Sequence, residues 1–251
     1  MTDLIEAKQS FSSASSHIQD CIFTQKKSSV RAKTPGQRGY IQGLNNGDDL
    51  IFCAGPAGTG KTYLAVAKAV EALEKNLAKK IILMRPAVEA GEKLGFLPGS
   101  PEEKVDPYLR PLFDALHEFM DAKIVKSHIS NNTIEICPVA FLRGRTLKDS
   151  FIVVDEAQNC TFGTLTMITS RLGHGSRMVI VGDPNPSQVD LLPPQESGFQ
   201  GFIDAMSLDS RGIGIHYLSN DDVIRHPIIS VVLKNIANYR DNSNNTPRPE
   251  Q

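Results

Sequence analysis

The chain has 251 residues, of which 40% are hydrophobic and 22% are charged, and its formal net charge is −1. Such a chain can bury a core without disulfide or metal cross-links, and its near-zero charge excludes a global electrostatic attraction to nucleic acid or acidic lipid. It shows no secretory signal and no apolar run of the ~18 residues that a membrane span requires, so we expect no membrane segment.

Composition divides the chain into three parts. Residues 1–30 are rich in Ser, Gln and Lys, which predicts a tail or a peripheral element. Residues 31–240 carry the apolar runs and form the predicted folded domain. Residues 241–251 hold no large apolar side chain, so we expect them to form a disordered tail.

Short apolar runs alternate with longer stretches of helical spacing. The predicted strands are Leu50–Ala54, Lys80–Met84, Thr133–Ile136, Phe151–Val154, Met178–Val181 and Ile215–Leu218. The predicted helices begin near Lys61, at Pro107 or Pro111 with an apolar stripe to Met120, at Thr164 with an end at Leu172, and at Ile228 with an end at Tyr239. Continuous apolar strands are typical of a sheet covered on both faces, so the pattern predicts an α/β fold with a mostly parallel sheet.

The four cysteines are widely spaced and form no CxxC pair. Cys21, Cys53, Cys137 and Cys160 therefore indicate reduced, buried thiols rather than a disulfide framework or a zinc site. We expect a cytoplasmic protein.

A phosphate-binding loop follows the first predicted strand. Its residues, which fit GxxxxGK[ST], are Gly55, Pro56, Ala57, Gly58, Thr59, Gly60, Lys61 and Thr62, and Tyr63 continues into the helix. Glycines let backbone N–H groups approach phosphate oxygens, and the helix start adds the positive end of its dipole. Lys61 suits the β and γ phosphates and the Thr62 hydroxyl suits Mg²⁺, so the loop predicts binding of ATP with Mg²⁺. The alternative is a glycine-rich turn with a surface lysine.

Two acids follow another apolar strand. Asp155 lies where it can hold Mg²⁺ beside the phosphate loop, and Glu156 where it can orient and polarise an attacking water. This pair favours hydrolysis over phosphoryl transfer by a small-molecule kinase, whose acceptor is the substrate's own hydroxyl. The alternative for Glu156 is a helix-capping role.

These motifs together resemble the PhoH family, over about residues 34–239. The segments that carry the resemblance are the phosphate loop, Arg85–Gly99, Lys104–Pro111, Ile134–Pro138, Arg143–Leu147, Asp155–Asn159, Ser197–Phe199 and Asp222–His226. The resemblance implies a RecA-like P-loop NTPase fold, similar to the motor core of superfamily 1 helicases. It also implies ATP, Mg²⁺ and a link to RNA.

The resemblance extends to single residues. Gln37 lies where an adenine-reading glutamine would lie, the alternative being a loop glutamine in solvent. The family usually has a compact Gly-Asp-x-x-Gln that senses the γ phosphate, whereas the segment Gly182–Gln188 is longer by two residues. Either Gln188 still reaches the phosphate, or Asp183 senses it alone.

ATP hydrolysis also needs an arginine near the γ phosphate. A two-lobed helicase supplies this arginine from its second lobe. Since we expect only one lobe here, a neighbouring subunit would supply the arginine, which predicts a homo-oligomeric ring, hexameric by resemblance. Arg225 is the first candidate and Arg145 the second, and the alternative for each is an intrachain salt bridge with an acid such as Asp222 or Glu135.

Several basic residues could form a local surface for single-stranded RNA or DNA. They are Arg85, Lys93, Arg110, Arg143 and Arg145, with Phe96, Tyr108 and Phe141 nearby as stacking or core aromatics. The leading prediction is thus an ATPase coupled to RNA binding or remodelling. The alternatives are a nucleotide-gated scaffold with negligible turnover and, less favoured, a small-molecule kinase.

Overall fold

The computed structural model describes residues 20–86, 101–142 and 144–224, together with residues 228, 232 and 235. The strands are β1 (Cys21–Ile22), β2 (Val30–Arg31), β3 (Leu50–Ala54), β4 (Lys80–Arg85), β5 (Ile134–Pro138), β6 (Ser150–Val154), β7 (Arg177–Gly182) and β8 (Ile213–Tyr217). The helices are α1 (Pro35–Asn45), α2 (Lys61–Glu74), α3 (Pro101–Phe119), α4 (Ala122–Ser130), α5 (Phe162–Thr169) and α6 (Phe199–Met206). Most of the predicted helix from Ile228 to Tyr239 lies outside the described residues.

Six strands form one sheet in the order β5–β4–β6–β7–β3–β8, and every pair in it is parallel. This confirms the predicted parallel α/β fold, and all six predicted strands are present with bounds that differ by at most two residues. Every position of β3 and of β6 is buried. A continuous apolar run has this physical meaning: alternate side chains point to opposite faces, and both faces are covered.

Each face of the sheet has its own core. On one face Ile51 and Val153 pack in a cluster with residues of α2 and α3, including Leu64 and Leu112. On the other face Phe52 and its neighbours cluster with residues of α5 and α6, which include Leu165 and Phe199. The two layers of helices hold the strand ends in fixed positions.

Among the described residues, three helices were not predicted, and α1 shows why. It contains Gly36, Gly39 and Gly43, which weaken an isolated helix. Two of these glycines lie against other elements: a Cβ on Gly43 would lie 1.9 Å from Nε2 of His216, and one on Gly36 would lie 2.4 Å from Asp222. Tertiary packing on the glycine face, with Thr34 accepting a hydrogen bond from the Gln37 N–H as N-cap, outweighs the poor local propensity.

The start predicted for α3 is wrong. The helix begins at Pro101, well before Pro107 or Pro111, and a proline at the first position costs no intrahelical hydrogen bond. Helix α5 runs from Phe162 to Thr169 rather than from 164 to 172, since Thr161 caps it by accepting from the Thr164 N–H.

A short antiparallel hairpin of β1 and β2 packs on α2. Ile22 is fully buried, and the Phe23 N–H donates to Glu71 of α2 at 3.0 Å. All four cysteines are buried with free thiols, as their spacing predicts. In the part of the chain that the structure describes, no helix has the length and apolar character needed to cross a membrane.

Candidate active site

The candidate site lies at the carboxyl edge of the sheet. Strand β7 lies between β3 and β6, so the phosphate loop after β3, Asp183 after β7 and the acids after β6 emerge at the same edge. Open parallel sheets gather their ligand sites at this edge. A cavity of about 480 Å³ opens here, and Lys61, Thr62, Asp155, Glu156 and Asp183 all line it.

The phosphate loop has the backbone that its glycines predict. Gly58 and Gly60 have φ of 85° and 84°, a left-handed conformation that suits glycine. Gly60 precedes the first residue of α2, so the start of this helix lines the cavity, and a helix N-terminus is a favourable place for an anion.

Lys61 is buried within this loop. Its ammonium donates to the carbonyl oxygens of Gly55 at 2.6 Å and Pro56 at 2.8 Å. Burial lowers the pKa of Lys61, while nearby acids, including Asp183 and Glu156, act in the opposite direction. Lys61 is therefore a positive group in an acidic cavity. Among the described residues, its ammonium donates hydrogen bonds only to backbone oxygens.

Thr62 and Asp155 meet directly. The Thr62 hydroxyl donates to Oδ1 of Asp155 at 2.6 Å, which joins the start of α2 to the end of β6. Burial raises the pKa of Asp155, and the adjacent Glu156 raises it further, whereas the Thr62 hydrogen bond and Arg85 lower it. The site thus sets two carboxylates side by side, and burial disfavours the charged form of Asp155.

Glu156 has a strained backbone, and two hydrogen bonds hold its carboxylate. Its φ is 54°, in the left-handed region that costs a non-glycine residue about 1–3 kcal/mol and is often found at functional sites. It precedes the short helical turn Ala157–Asn159 but makes no side-chain cap hydrogen bond to it, so the capping alternative does not describe its contacts. Instead its carboxylate accepts from Arg85 Nη2 at 2.7 Å and from the Gln158 amide.

Sequence reasoning missed the roles of Arg85 and Gln158. Arg85, predicted for a nucleic-acid surface, ends β4 next to β6 and directs its guanidinium toward the two acids. Gln158 is 3% exposed and accepts from the Asp183 N–H at 3.0 Å, so it joins Glu156 to the end of β7. Gln158 could have been found from the sequence, because it is a polar residue two positions after Glu156. The role of Arg85 could not, because no local pattern indicates that β4 adjoins β6.

Gln37 lies beside the phosphate loop and not in a solvent-exposed loop. It is 3% exposed, donates to the Thr59 carbonyl at 2.9 Å and accepts from the Lys33 N–H at 2.9 Å. It also lines a second cavity, of about 630 Å³, which shares Gly58, Gly60 and Tyr63 with the first. Its adenine-reading role stays a prediction.

The segment after β7 forms a compact turn. The Asp183 carboxylate accepts from the Asn185 N–H at 3.0 Å, and Asn185 caps the helical turn Pro186–Gln188. Gln188 lines the same cavity as Asp183, but its side chain is exposed and its amide contacts the neighbouring Ser187 hydroxyl at 3.4 Å. The two extra residues therefore fold into this turn, and the sensing roles of Asp183 and Gln188 stay predictions.

Of the two candidate arginine fingers, Arg145 is among the described residues and Arg225 is not. Arg145 makes a bidentate pair with Glu135 of β5, which is the intrachain alternative named for it. Arg225 lies outside the described residues, although the nearby Ile224 N–H donates to the Gly58 carbonyl of the phosphate loop at 2.9 Å. Asp222 accepts from Thr34, from the Gly36 N–H and from the Ser219 N–H.

The predicted nucleic-acid surface is only partly described. Lys93, Arg143 and Phe96 lie outside the described residues, and Arg85 and Arg145 have carboxylate partners. Arg110 is exposed and Phe141 is 61% exposed.

Comparison with known sequences places the chain among close relatives. A model of the PhoH-like protein family matches residues 29–237. The chain is 46% identical over 226 residues to a PhoH-like protein of Synechocystis sp., covering 90% of this chain and 68% of that protein. It is 50% identical over 209 residues to a PhoH-like protein of Bacillus subtilis, covering 83% and 64%. Protein PhoH of Escherichia coli is 35% identical over 200 residues, covering 79% and 55%.

Among solved structures, the large terminase of the thermophilic bacteriophage D6E matches with a TM-score of 0.50 at 12% identity, covering 84% of this chain and 50% of the terminase chain. At that identity the match describes the fold alone. The phosphate loop, the parallel sheet and the sequence matches together lead to one conclusion: the chain belongs to the PhoH-like protein family and has a P-loop ATPase fold.

Proposed function

We propose that this chain binds ATP with Mg²⁺ and hydrolyses it. The observation that carries the proposal is the 2.6 Å hydrogen bond between Thr62 and Asp155 in a cavity that Lys61 and Glu156 also line. Ligand cavities in proteins measure about 300–1,000 Å³, so a cavity of about 480 Å³ suits a triphosphate and its metal. Lys61 would exchange its carbonyl partners for phosphate oxygens, and Glu156 would orient the attacking water.

The donor atoms fit magnesium. Mg²⁺ prefers oxygen ligands, and in nucleotide sites it takes one or two from the protein and the rest from phosphates and water. Thr62 and Asp155 supply a hydroxyl and a carboxylate oxygen, and the raised pKa of Asp155 reflects buried negative charge that a cation would relieve. Since Mg²⁺ in a nucleotide site takes only one or two ligands from the protein, the lack of a cluster of three metal-ligating residues in the described ranges does not count against magnesium. Bound magnesium would neutralise charge on the transferring phosphoryl group.

The test compares four proteins: wild type, Lys61→Ala, Glu156→Gln and Lys80→Gln. Lys80 is an exposed lysine at the other end of the sheet from the site, so its variant is the charge-loss control. Phosphate release is measured with Mg²⁺ and with EDTA, and ATP affinity is measured separately. We expect Lys61→Ala to lose affinity and turnover, and Glu156→Gln to keep affinity but lose about 10²–10⁴-fold in kcat.

Each alternative predicts a different result. A nucleotide-gated scaffold would bind ATP but show no Mg²⁺-dependent turnover in the wild type, which would refute the proposed hydrolysis. A small-molecule kinase would consume ATP only when an acceptor is added.

Coupling to single-stranded RNA or DNA and assembly into a hexameric ring are further parts of the proposal. Exposed Phe141 supports the first, since base stacking needs an exposed aromatic side chain. We expect one of the two nucleic acids to stimulate turnover, with binding that weakens steeply as salt rises. Sedimentation velocity tests the ring, and Arg225→Ala should lower turnover without lowering ATP affinity if Arg225 acts on the neighbouring subunit's site.

A further inference from the structure

Glu156 is held at both oxygens of its carboxylate. Arg85 Nη2 donates to Oε1 at 2.7 Å, and the Gln158 amide donates to Oε2. A glutamate side chain has broad preferences at its last torsion, so without such partners the carboxylate would sample many orientations. The backbone of Glu156 is also in a strained conformation, which the surrounding contacts must maintain.

Arg85 is itself fixed from several directions. Its Nη1 donates to the Tyr108 carbonyl of α3 at 3.1 Å, and its Nε lies 3.8 Å from Asp155. The side chain is 20% exposed, and it comes from the strand adjacent to the one that carries the acids. Helix α3 and strand β4 therefore set where the guanidinium lies.

Two other roles for Arg85 fit these contacts less well. A nucleic-acid contact needs an exposed cation, whereas this guanidinium already pairs with carboxylates. A direct contact to the γ phosphate would have to use the N–H groups that these two bonds leave over, on a guanidinium already anchored toward Glu156 and the Tyr108 carbonyl.

From these contacts we propose that Arg85 is a positioning residue for hydrolysis, which holds the Glu156 carboxylate where it orients the attacking water. The inference rests on the proposed function and adds to it an arginine of the chain's own, distinct from any arginine of a neighbouring subunit. A reacting group displaced by about 1 Å can cost roughly 10²-fold in rate, so the effect on turnover is large even though Arg85 does not touch the reacting atoms.

A double-mutant cycle tests the proposal, using Arg85→Ala, Glu156→Gln and the combined variant of the full chain. We expect Arg85→Ala to lower kcat by about 10²-fold and to leave the Kd for ATP unchanged. In the Glu156→Gln background the same substitution should cause no further loss, because two residues that act through one step are not additive. Arg85→Lys, which keeps a cationic donor, should recover part of the lost kcat, and Lys80→Gln should match the wild type.

Thermal melts of each variant show whether it is folded, and Arg85→Lys serves in place of Arg85→Ala if the latter does not fold. Additive losses in the cycle, or a weakened Kd for ATP with that for ADP unchanged, would mean that Arg85 acts on the phosphate and would overturn the proposal. An unchanged kcat in a folded Arg85→Ala would also overturn it. Absence of turnover in the wild type would overturn the proposed function as well, so the two failures are distinguishable.

Discussion

The ion pair behind the phosphate loop offers a quantitative test of how α2 is held in place. Glu71 of α2 is 2% exposed and pairs with Lys68 at 2.5 Å and Lys75 at 2.7 Å. Lys68 also donates to Asn45 of α1 at 2.7 Å, and Glu71 accepts from the Phe23 N–H of the hairpin. The Lys68–Glu71 pair therefore connects the helix that carries Lys61 to two neighbouring elements, α1 through Lys68 and the hairpin through Glu71.

Substituting Glu71→Gln removes the charge and keeps the shape. Lys68 then lies buried without its counterion, and breaking a buried pair from one side costs about 3–5 kcal/mol. Since the glutamine oxygen still accepts a hydrogen bond, we expect a loss of about 3 kcal/mol in the free energy of unfolding. At ~2–4 °C per kcal/mol for a domain of this size, Tm falls by roughly 6–12 °C.

The pH dependence follows from the pKa of Glu71. Burial alone would raise it, but the hydrogen bonds from Lys68 and Lys75 outweigh burial and lower it below the ordinary value of 4.5. A carboxyl whose folded pKa is lowered stabilises the protein above its unfolded pKa, and that contribution is lost as pH falls through the folded pKa. The stability difference between wild type and Glu71→Gln should thus be full at neutral pH and shrink below pH 4.5.

Denaturant and thermal unfolding measure these differences. The exposed pair of Lys79 and Asp149 is the control, and Lys79→Ala should cost at most about 1 kcal/mol. The double variant Lys68→Met/Glu71→Gln removes both charges and keeps an acceptor for the Phe23 N–H, so it should recover most of the stability that Glu71→Gln alone loses. A loss below about 1 kcal/mol in Glu71→Gln, or a double variant as unstable as the single one, would refute the buried-charge reasoning.

Two further predictions concern α1. Gly43→Ala places a methyl group against His216 and should lower the free energy of unfolding by about 1–3 kcal/mol, measured by thermal melting. Gly39→Ala has open space around its Cβ, so its stability should be unchanged or raised by about 0.5–1 kcal/mol. Equal effects of the two substitutions would contradict the close packing at Gly43. Gln37→Ala removes the hydrogen bonds to Thr59 and Lys33 and should weaken ATP binding, and if Gln37 reads the base, the preference for ATP over GTP should fall too. Competition of ATP and GTP for the site measures this, and an unchanged preference would leave Gln37 as a support of the phosphate loop only.

Much of the fold could be predicted from the sequence because its signals are local. The continuous apolar run of β3 predicts a strand buried on both faces, and the loop that follows it has a spacing that phosphate chemistry requires. The acids after β6 are likewise visible as an apolar run that ends in two carboxylates. The helix α1 was missed because its glycines have poor local propensity, and only their packing against His216 and Asp222 makes the helix favourable.

The amino-acid sequence by itself determined the parallel α/β class, the phosphate loop and the presence of two adjacent acids, since each depends on neighbours along the chain. Only the tertiary structure decided that β7 lies between β3 and β6, that Arg85 faces Glu156, and that Arg145 pairs with Glu135. The reason is physical: these contacts depend on strand order, which the packing of both helix layers selects and which no local periodicity encodes.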